Sequence, residues 1–497
     1  MNIKRKIAMV VTLAMLSSAF TTGCSFAGMS DSDLLRPPKA TGTEAAIQTL
    51  LEKTTSGDYK LSYPQSGDYR SGIIMQDING DRSNEAIALY KTTKDSANIN
   101  IMFMKETGGK WESIASYKNA NSNVDRLYFG DVDADGQNEV IVGWSSYLTG
   151  NNQIIMYDYN ANNTISEVLV NSDTMYIDMA LMDITNDGVQ DLVVLTTAFN
   201  EKTSQTTTTA RLYSCCIEGD FSRVSEIKTN PNIISYSQIL QGNISNNVKG
   251  LFMDGNTSNE NELITEVLYY SKEKQILVNP LDYTETDGDV ENITVRKTST
   301  VCKDINNDNI IEVPSPYIPV VDTNAITPCP IIKWYKIVSA DGTVQETQQT
   351  VASYSDGFYF VLPNNWKGNI VASNDNTTRT TSFYEIIDEV DTTTISTEPA
   401  TEKGTEKATV PEISTEPIEP TEQTEERVSK IGDEPVLVLK VYSEKTWKNE
   451  SATRLSEGYI VIKEESGFVY TCKLGNAVNS EINLSTDQVK NNFYFIK

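Results

Sequence analysis

Residues 131–139 read DVDADGQNE, four carboxylates within nine residues around a single glycine. Side chains of like charge this close repel one another, and a bound cation with oxygen ligands lets a folded chain hold them together. The phrase is not isolated. DINGDRSNE occupies residues 77–85, DITNDGVQD residues 183–191 and DINNDNIIE residues 304–312. All four copies carry Asp at positions 1 and 5, an oxygen-bearing side chain at position 3, Ile or Val at position 2, and Asp or Glu at position 9. Their starts lie 54, 52 and 121 residues apart, so the last gap is expected to hide a worn copy. NISNN at residues 243–247 fills it, with amides and a hydroxyl where the acids stand elsewhere.

A tight loop that turns back on itself aims side chains 1, 3 and 5 at one point. A position-7 carbonyl and a later carboxylate complete an oxygen shell of the kind calcium takes. The candidate metal ligands are Asp77, Asn79, Asp81, Ser83 and Glu85 in the first copy and Asp131, Asp133, Asp135, Gln137 and Glu139 in the second. In the third they are Asp183, Thr185, Asp187, Val189 and Asp191, and in the fourth Asp304, Asn306, Asp308, Ile310 and Glu312. An EF-hand places its last carboxylate at position 12, where this chain has Ala88, Val142, Val194 and Ser315, so these loops are not EF-hands. The second copy, with four acids and Gly136 at the turn, is the strongest site, and the third has three acids and Gly188. In the first copy Arg82 replaces the turn glycine and brings a positive charge. In the fourth, Asn309 tolerates a left-handed turn, but Pro314 follows the last acid and is expected to disrupt a regular exit strand. One such loop is also what an Asx-rich turn without metal looks like; four in register favour the cation.

The flanks agree as well: IIM, LYF and ALM precede the first three loops, and AIAL, VIVG and LVVL follow them. The pattern resembles the FG-GAP and VCBS-type repeats of integrin-alpha-like β-propellers, in which a strand enters a calcium loop and a second strand leaves it. The resemblance covers roughly residues 60–354. It implies an all-β fold, a β-propeller of about five to seven blades with calcium in its loops. Repeats of 52 to 61 residues have the length of a four-stranded blade with its connections, and a solenoid is the structural alternative. In the fourth copy Cys302 takes the slot of Met75, Phe129 and Leu181, which marks it as core packing. The chain from about 58 to 354 alternates short strands with Gly, Asn and Asp turns, and NINIMFMKETGGKWESIASYK and QIIMYDYNANNTISEVLV both read as hairpins.

Composition narrows the function. With 497 residues, two or more domains are expected. The 41 basic and 68 acidic residues leave a formal charge of -27, which opposes a grip on nucleic acid or on anionic lipid head groups. The absence of histidine removes the commonest general base, the usual triads and His-bearing zinc sites. Cys215, Cys216, Cys302, Cys329 and Cys472 are an odd number without CxxC spacing, so they read as small buried hydrophobes rather than a disulfide framework. Adjacent in a strand-like run, Cys215 and Cys216 are expected on opposite faces.

At the N-terminus MNIKRK is a basic head, IAMVVTLAMLSSAF an apolar run, and TTGC follows. This resembles a bacterial lipoprotein signal, which implies lipidation of Cys24, although Thr21 stands where an aliphatic residue is usual. The alternative is ordinary secretion, with SFA at residues 25–27 as the cleavage site and Cys24 discarded. The expected organisation is a signal peptide at 1–23, a tether at 24–42, the propeller at 43–354, and a small C-terminal α+β domain from 355–390 and 431–497. Within the propeller segment TEAAIQTLLEK is a helix that Thr43 can cap. Residues 391–430, made largely of Thr, Glu, Pro and Lys, are expected to be a disordered linker or insert.

The expectation is a non-enzymatic, calcium-binding propeller on the outside of a bacterial cell, held at the membrane by its lipid and binding a protein or glycan. The alternative is a carbohydrate-active enzyme, a glycoside hydrolase or lyase, with two carboxylates in a central cleft and Trp144, Tyr147 and Tyr157 stacking on sugar. A partner in envelope assembly, with 391–430 as a spacer, is a third possibility.

Overall fold

The computed structural model describes residues 42–145, 152–160, 164–170, 175–200, 205–215, 220–282, 292–321, 326–339, 342–390 and 427–496. Cys24, Tyr147, Cys216 and residues 391–426 lie outside them. The described chain is mostly β, in consecutive antiparallel sheets of which none closes into a barrel. It divides into two compact units, Met1–Phe129 with Gly136–Ser172, and Gly130–Asp135 with Asp173–Lys497, the division falling within the second acidic loop.

In the first unit one sheet joins Lys60–Leu61, Ile73–Gln76, Glu85–Thr92, Asp95–Thr107 and Lys110–Asn119. The next joins Asn123–Gly130, Glu139–Ser145, Gln153–Asn160 and Thr164–Leu169. Both expected hairpins are present, Asp95–Thr107 pairing Lys110–Asn119 and Gln153–Asn160 pairing Thr164–Leu169. The strand that leaves each of the first three loops is buried on both faces, so it reads as a continuous apolar run rather than an alternation. Along Glu85–Thr92, Ala86 and Ala88 face the helix Thr43–Thr55, while Ile87 and Leu89 join Phe103, Val140 and Trp144 in the core between the two sheets. Ile47 and Leu51, one helical turn apart, are the residues this helix buries. Thr43 does not cap it. Gly42 takes the N-cap position at φ 62°, a left-handed angle that glycine adopts without a Cβ clash, and no side chain completes the cap.

The second unit repeats the scheme. Its first sheet is Met175–Met182, Asp191–Asn200, Gln205–Ser214 and Ser222–Lys228, and its second is Ile233–Ser245, Val248–Thr257, Leu263–Ser271 and Ile276–Val278. Ala180, Val193 and Leu212 of one pack against Leu251, Met253 and Leu268 of the other. A five-stranded sheet follows, Val313–Tyr317, Ile331–Ile337, Val344–Ser353, Phe358–Val361 and Phe493–Phe495. It therefore runs without a break across residue 354, where the sequence had placed a boundary. Phe252, Val267, Val313 and Ile337 form its core with the preceding sheet.

Its other apolar side chains, Ile331, Val351, Phe358 and Phe360, pack on a last, seven-stranded sheet built around Thr380–Val390 and Leu437–Ser443. These two strands pair across the Thr/Glu/Pro segment, so the flanks on either side of it form one sheet. The segment is also shorter than expected: Arg427–Ile431 is a strand pairing Ile386–Val390, which takes residues 427–430 out of the linker. Pro314 does not break its strand. Val313–Tyr317 lies at a sheet edge, where the missing N–H of proline costs no ladder bond. The worn copy NISNN is a tight hairpin turn, Ser245 pairing Val248, with no room for a nine-residue loop.

Candidate metal loops

The first three acidic phrases are strand-to-strand loops, and the fourth leads into the strand Val313–Tyr317. The first spans Gln76 and Glu85, a cross-strand pair, and the third spans Met182 and Asp191 in the same relation. In the fourth only the isolated bridge between Lys303 and Glu312 closes the neck. Position 2 anchors every copy: Ile78, Val132, Ile184 and Ile305 are buried, each contributing roughly 1.5–3 kcal/mol of apolar burial.

The backbone repeats more faithfully than the side chains. Position 4 is left-handed in all four copies, at φ 74° for Gly80, 66° for Ala134, 54° for Asn186 and 61° for Asn307. Position 6 is left-handed too, at 70° for Arg82, 86° for Gly136, 96° for Gly188 and 66° for Asn309. Arg82 thus takes the conformation that glycine takes in the second and third copies. These two reversals wrap the loop around its acids. Asp77 accepts from the backbone of Gly80 and Arg82, both at 2.8 Å, and Asp304 from Asp308 and Asn309 at 3.1 and 2.9 Å. Position 5 accepts from the N–H of position 7: Ser83 to Asp81 at 2.8 Å, and Val189 to Asp187 and Ile310 to Asp308, both at 2.9 Å. Position 9 reaches back to position 2, as Ile78 and Ile305 donate to Glu85 and Glu312 at 3.2 and 3.1 Å.

The copies differ in how their inner oxygens are satisfied. In the first, Asn79 Nδ2 donates to Glu85 Oε1 and Asp81 Oδ2 at 2.8 and 3.1 Å, and Lys105 Nζ lies 3.0 Å from Asp81 and 3.7 Å from Glu85. A lysine already supplies positive charge there. In the fourth, Asn306 Nδ2 plays the same part toward Glu312 and Asp308, at 3.0 and 3.1 Å. The second has no amide at position 3, and carboxylate oxygens of Asp131, Asp133 and Glu139 lie within 4.8 Å of one another. In the third, Asp191 Oδ2 accepts from the backbone and hydroxyl of Thr185, both at 2.9 Å, the Ser214 hydroxyl also acts on this carboxyl, and Oδ1 is buried with no hydrogen bond of its own. A buried carboxylate oxygen left in that state fits a cation with hard oxygen ligands. Lys249 pairs with Asp183 of the same loop at 2.8 Å.

Burial sets the ionisation of position 9. It raises the Glu85 and Asp191 carboxyls above their ordinary range and pushes Glu312 up to about 7. The Lys105 hydrogen bond holds the exposed Asp81 down. A divalent cation among these oxygens reverses the first effect, because it favours the charged form.

No family model and no curated protein matches the sequence. Among solved structures, the exotype rhamnogalacturonan lyase YesX overlays with a TM-score of 0.28 at 9% identity, covering 66% of this chain and 72% of that chain, a likeness that decides neither fold nor function. Trp144 and Tyr157, the expected sugar-stacking aromatics, are 0% and 1% exposed and belong to the core. Cys215, Cys302 and Cys472 are buried free thiols, as the sequence implies, and Cys329 is half-buried. Among the described residues no helix is long and apolar enough to cross a membrane.

Sequence reasoning missed the left-handed position 4, the amide closure by Asn79 and Asn306, and Lys105. It also missed a buried ion pair beside Cys302: Arg296 Nη2 donates to Asp254 Oδ1 at 2.6 Å, and Asp254 Oδ2 accepts the Cys302 N–H at 2.8 Å. The mark of position 4 in the sequence was its lack of β-branched residues, Gly, Ala, Asn and Asn.

Proposed function

We propose that this chain is a non-catalytic, calcium-stabilised repeat protein of the β-propeller type, carried outside the cell by a lipid on Cys24 and presenting its loops to a protein or glycan. The observation that carries the reading is the recurrence of one nine-residue loop, left-handed at positions 4 and 6, four times in one chain and between apolar strands in the first three. The second loop is the strongest calcium site, with three converging carboxylates; the third offers the buried Oδ1 of Asp191, although Lys249 already pairs with Asp183 there. The first and fourth are weaker, because Asn79, Asn306 and Lys105 already occupy the acids. Calcium there cancels repulsion among carboxylates and fixes the turns; no reaction is required of it.

The enzyme alternative loses two of its aromatic platforms to the core. The experiment is a thermal melt of residues 30–497 in calcium and in excess chelator, with direct counting of bound metal. Two tightly bound ions and a large calcium-dependent rise in melting temperature, reduced by Asp133→Ala and by Asp187→Ala, support the reading. No bound calcium and an unmoved melt would leave the loops as acidic turns, and the carboxylates would return to the enzyme alternative.

A further inference from the structure

We propose that a cavity on the five-stranded sheet of the second unit is a binding site for a small aromatic carboxylate. The sheet has two apolar faces. Ile331, Val351 and Phe358 pack on the last sheet, and the alternate residues Ile332, Trp334 and Tyr359 turn the other way. On that side the connecting segment 299–305 stands off from the sheet and leaves a cavity of about 270 Å³. That is just below the ~300 Å³ at which sites for drug-sized ligands begin, and it suits one ring with a short arm.

The lining selects the chemistry. Trp334 Nε1 already donates to Thr350 Oγ1 at 2.9 Å, and the Tyr359 hydroxyl donates to the Ile305 carbonyl at 3.3 Å. Both rings are largely buried, at 3% and 8% exposed, and Tyr494 stacks on Tyr359, so what they give a ligand is an apolar wall rather than an open stacking face. Tyr354 and Thr300 spend their hydroxyls on each other, 2.9 Å apart. A sugar, which brings several hydroxyls, would leave many of them without partners here.

Charge supplies the second selection. In a chain of 68 acidic and 41 basic residues, no carboxylate side chain is among the described residues lining this cavity, and its one charged residue is Lys303. Lys303 Nζ stands 5.8 Å from the centre of the Tyr359 ring. The adjacent Asp304 is turned into its own loop, accepting the N–H groups of Asp308 and Asn309 at 3.1 and 2.9 Å. An ammonium beside an aromatic wall, with no acidic side chain among the described lining residues, complements a ring that carries a single negative charge.

The lining includes Ile305, the buried second position of the fourth loop, and none of the candidate ligands of the second and third loops, so the proposal does not rest on those two loops binding calcium. The test titrates residues 30–497 with phenylacetate, phenethylamine and glucuronate, in calcium and again in chelator, by tryptophan fluorescence and ligand-observed NMR. Phenylacetate is expected to saturate in the millimolar range or below, with phenethylamine and glucuronate at least tenfold weaker. Lys303→Met should weaken phenylacetate about tenfold, and Ala352→Leu, which fills the cavity, should abolish binding. Melting temperatures of both variants check that they are folded, and Lys303→Gln replaces Lys303→Met if that variant is not. Equal binding of acid and amine, preference for glucuronate, an unchanged affinity in the Lys303 variant, or no saturation by about 10 mM would each overturn the proposal.

Discussion

Asn138, at position 8 of the second loop, donates from its side chain to the carbonyl oxygen of Asp77, position 1 of the first loop, at 2.9 Å. Its backbone N–H donates to Ile78 at the same distance. The relation recurs: Gln190 N–H reaches the Asp131 carbonyl at 3.1 Å, and Ile311 N–H the Asn243 carbonyl at 2.9 Å. Position 8 of one repeat thus holds position 1 of the repeat before it, even where that earlier repeat is the worn copy. Asn138→Ala removes one of these bonds and leaves the Asp77 carbonyl one donor short, at a cost of about 1–2 kcal/mol. Asn84→Ala, at the exposed position 8 of the first copy, should cost close to nothing. Urea denaturation of the two variants makes the comparison.

Ala134 and Arg82 hold left-handed angles of 66° and 70° that glycine holds at the equivalent places in other copies. A Cβ there costs roughly 1–2 kcal/mol, partly offset by the greater freedom of glycine in the unfolded chain. Ala134→Gly and Arg82→Gly should each stabilise the protein by about 1 kcal/mol. Gly136→Ala should destabilise it by a similar amount, and thermal melts distinguish the signs.

These relations show which parts of the site the sequence could carry. Positions 1, 5 and 9 need carboxylates and position 2 needs an apolar anchor, so side-chain chemistry writes them plainly into all four copies. Position 4 needs only a backbone angle, and Gly, Ala, Asn and Asn each supply it. Position 8 works mainly through a backbone N–H, which every residue but proline has, so Asn138, Gln190 and Ile311 share no visible mark. The apolar runs after the loops announced buried strands, but not which strand would lie at an edge. Pro314 was therefore misread as a break where Val313–Tyr317 tolerates it. Lys105 was invisible for another reason: it comes from a neighbouring strand, 24 residues beyond Asp81.

Lys105 gives the first loop a test of its own. Its ammonium stands 3.0 Å from Asp81 and 3.7 Å from Glu85, in the place a cation would share. On the calcium reading, Lys105→Met frees both carboxylates. The variant should bind one more calcium than the parent, and it should be less stable than the parent in chelator but not in calcium. Metal counting with paired melts is the check, and an unchanged stoichiometry would remove the first loop from the set of sites.

Glu266 carries a pH dependence independent of metal. It is 4% exposed, accepts the Asn230 N–H at 2.8 Å and the Tyr236 hydroxyl at 3.4 Å, and burial pushes its carboxyl up to about 7 from an ordinary 4.5. A carboxyl whose folded value is raised favours the folded state fully below its unfolded value, and that contribution is lost as pH rises through the folded value. Stability should therefore fall by about 3 kcal/mol between pH 4.5 and 7 on account of this residue. Glu266→Gln should flatten the difference across that interval, read as free energies from denaturant titrations at each pH against the parent.

Arg296 and Asp254 form an ion pair whose side chains are both fully buried, at 2.6 Å. The pair ties an irregular segment to the sheet: Arg296 also donates to the carbonyls of Thr300 and Thr294 at 2.6 and 2.9 Å and to Thr265 Oγ1 at 2.8 Å. Removing either partner strands a charge away from water, which costs about 3–5 kcal/mol, whereas removing both leaves only the lost hydrogen bonds and any void. Asp254→Leu and Arg296→Met should each destabilise strongly, and the double variant should recover a large part of the loss. A coupling energy of 2 kcal/mol or more from the double-mutant cycle is the expected result. Strict additivity would mean that the carbonyls around Arg296, and not Asp254, balance its charge.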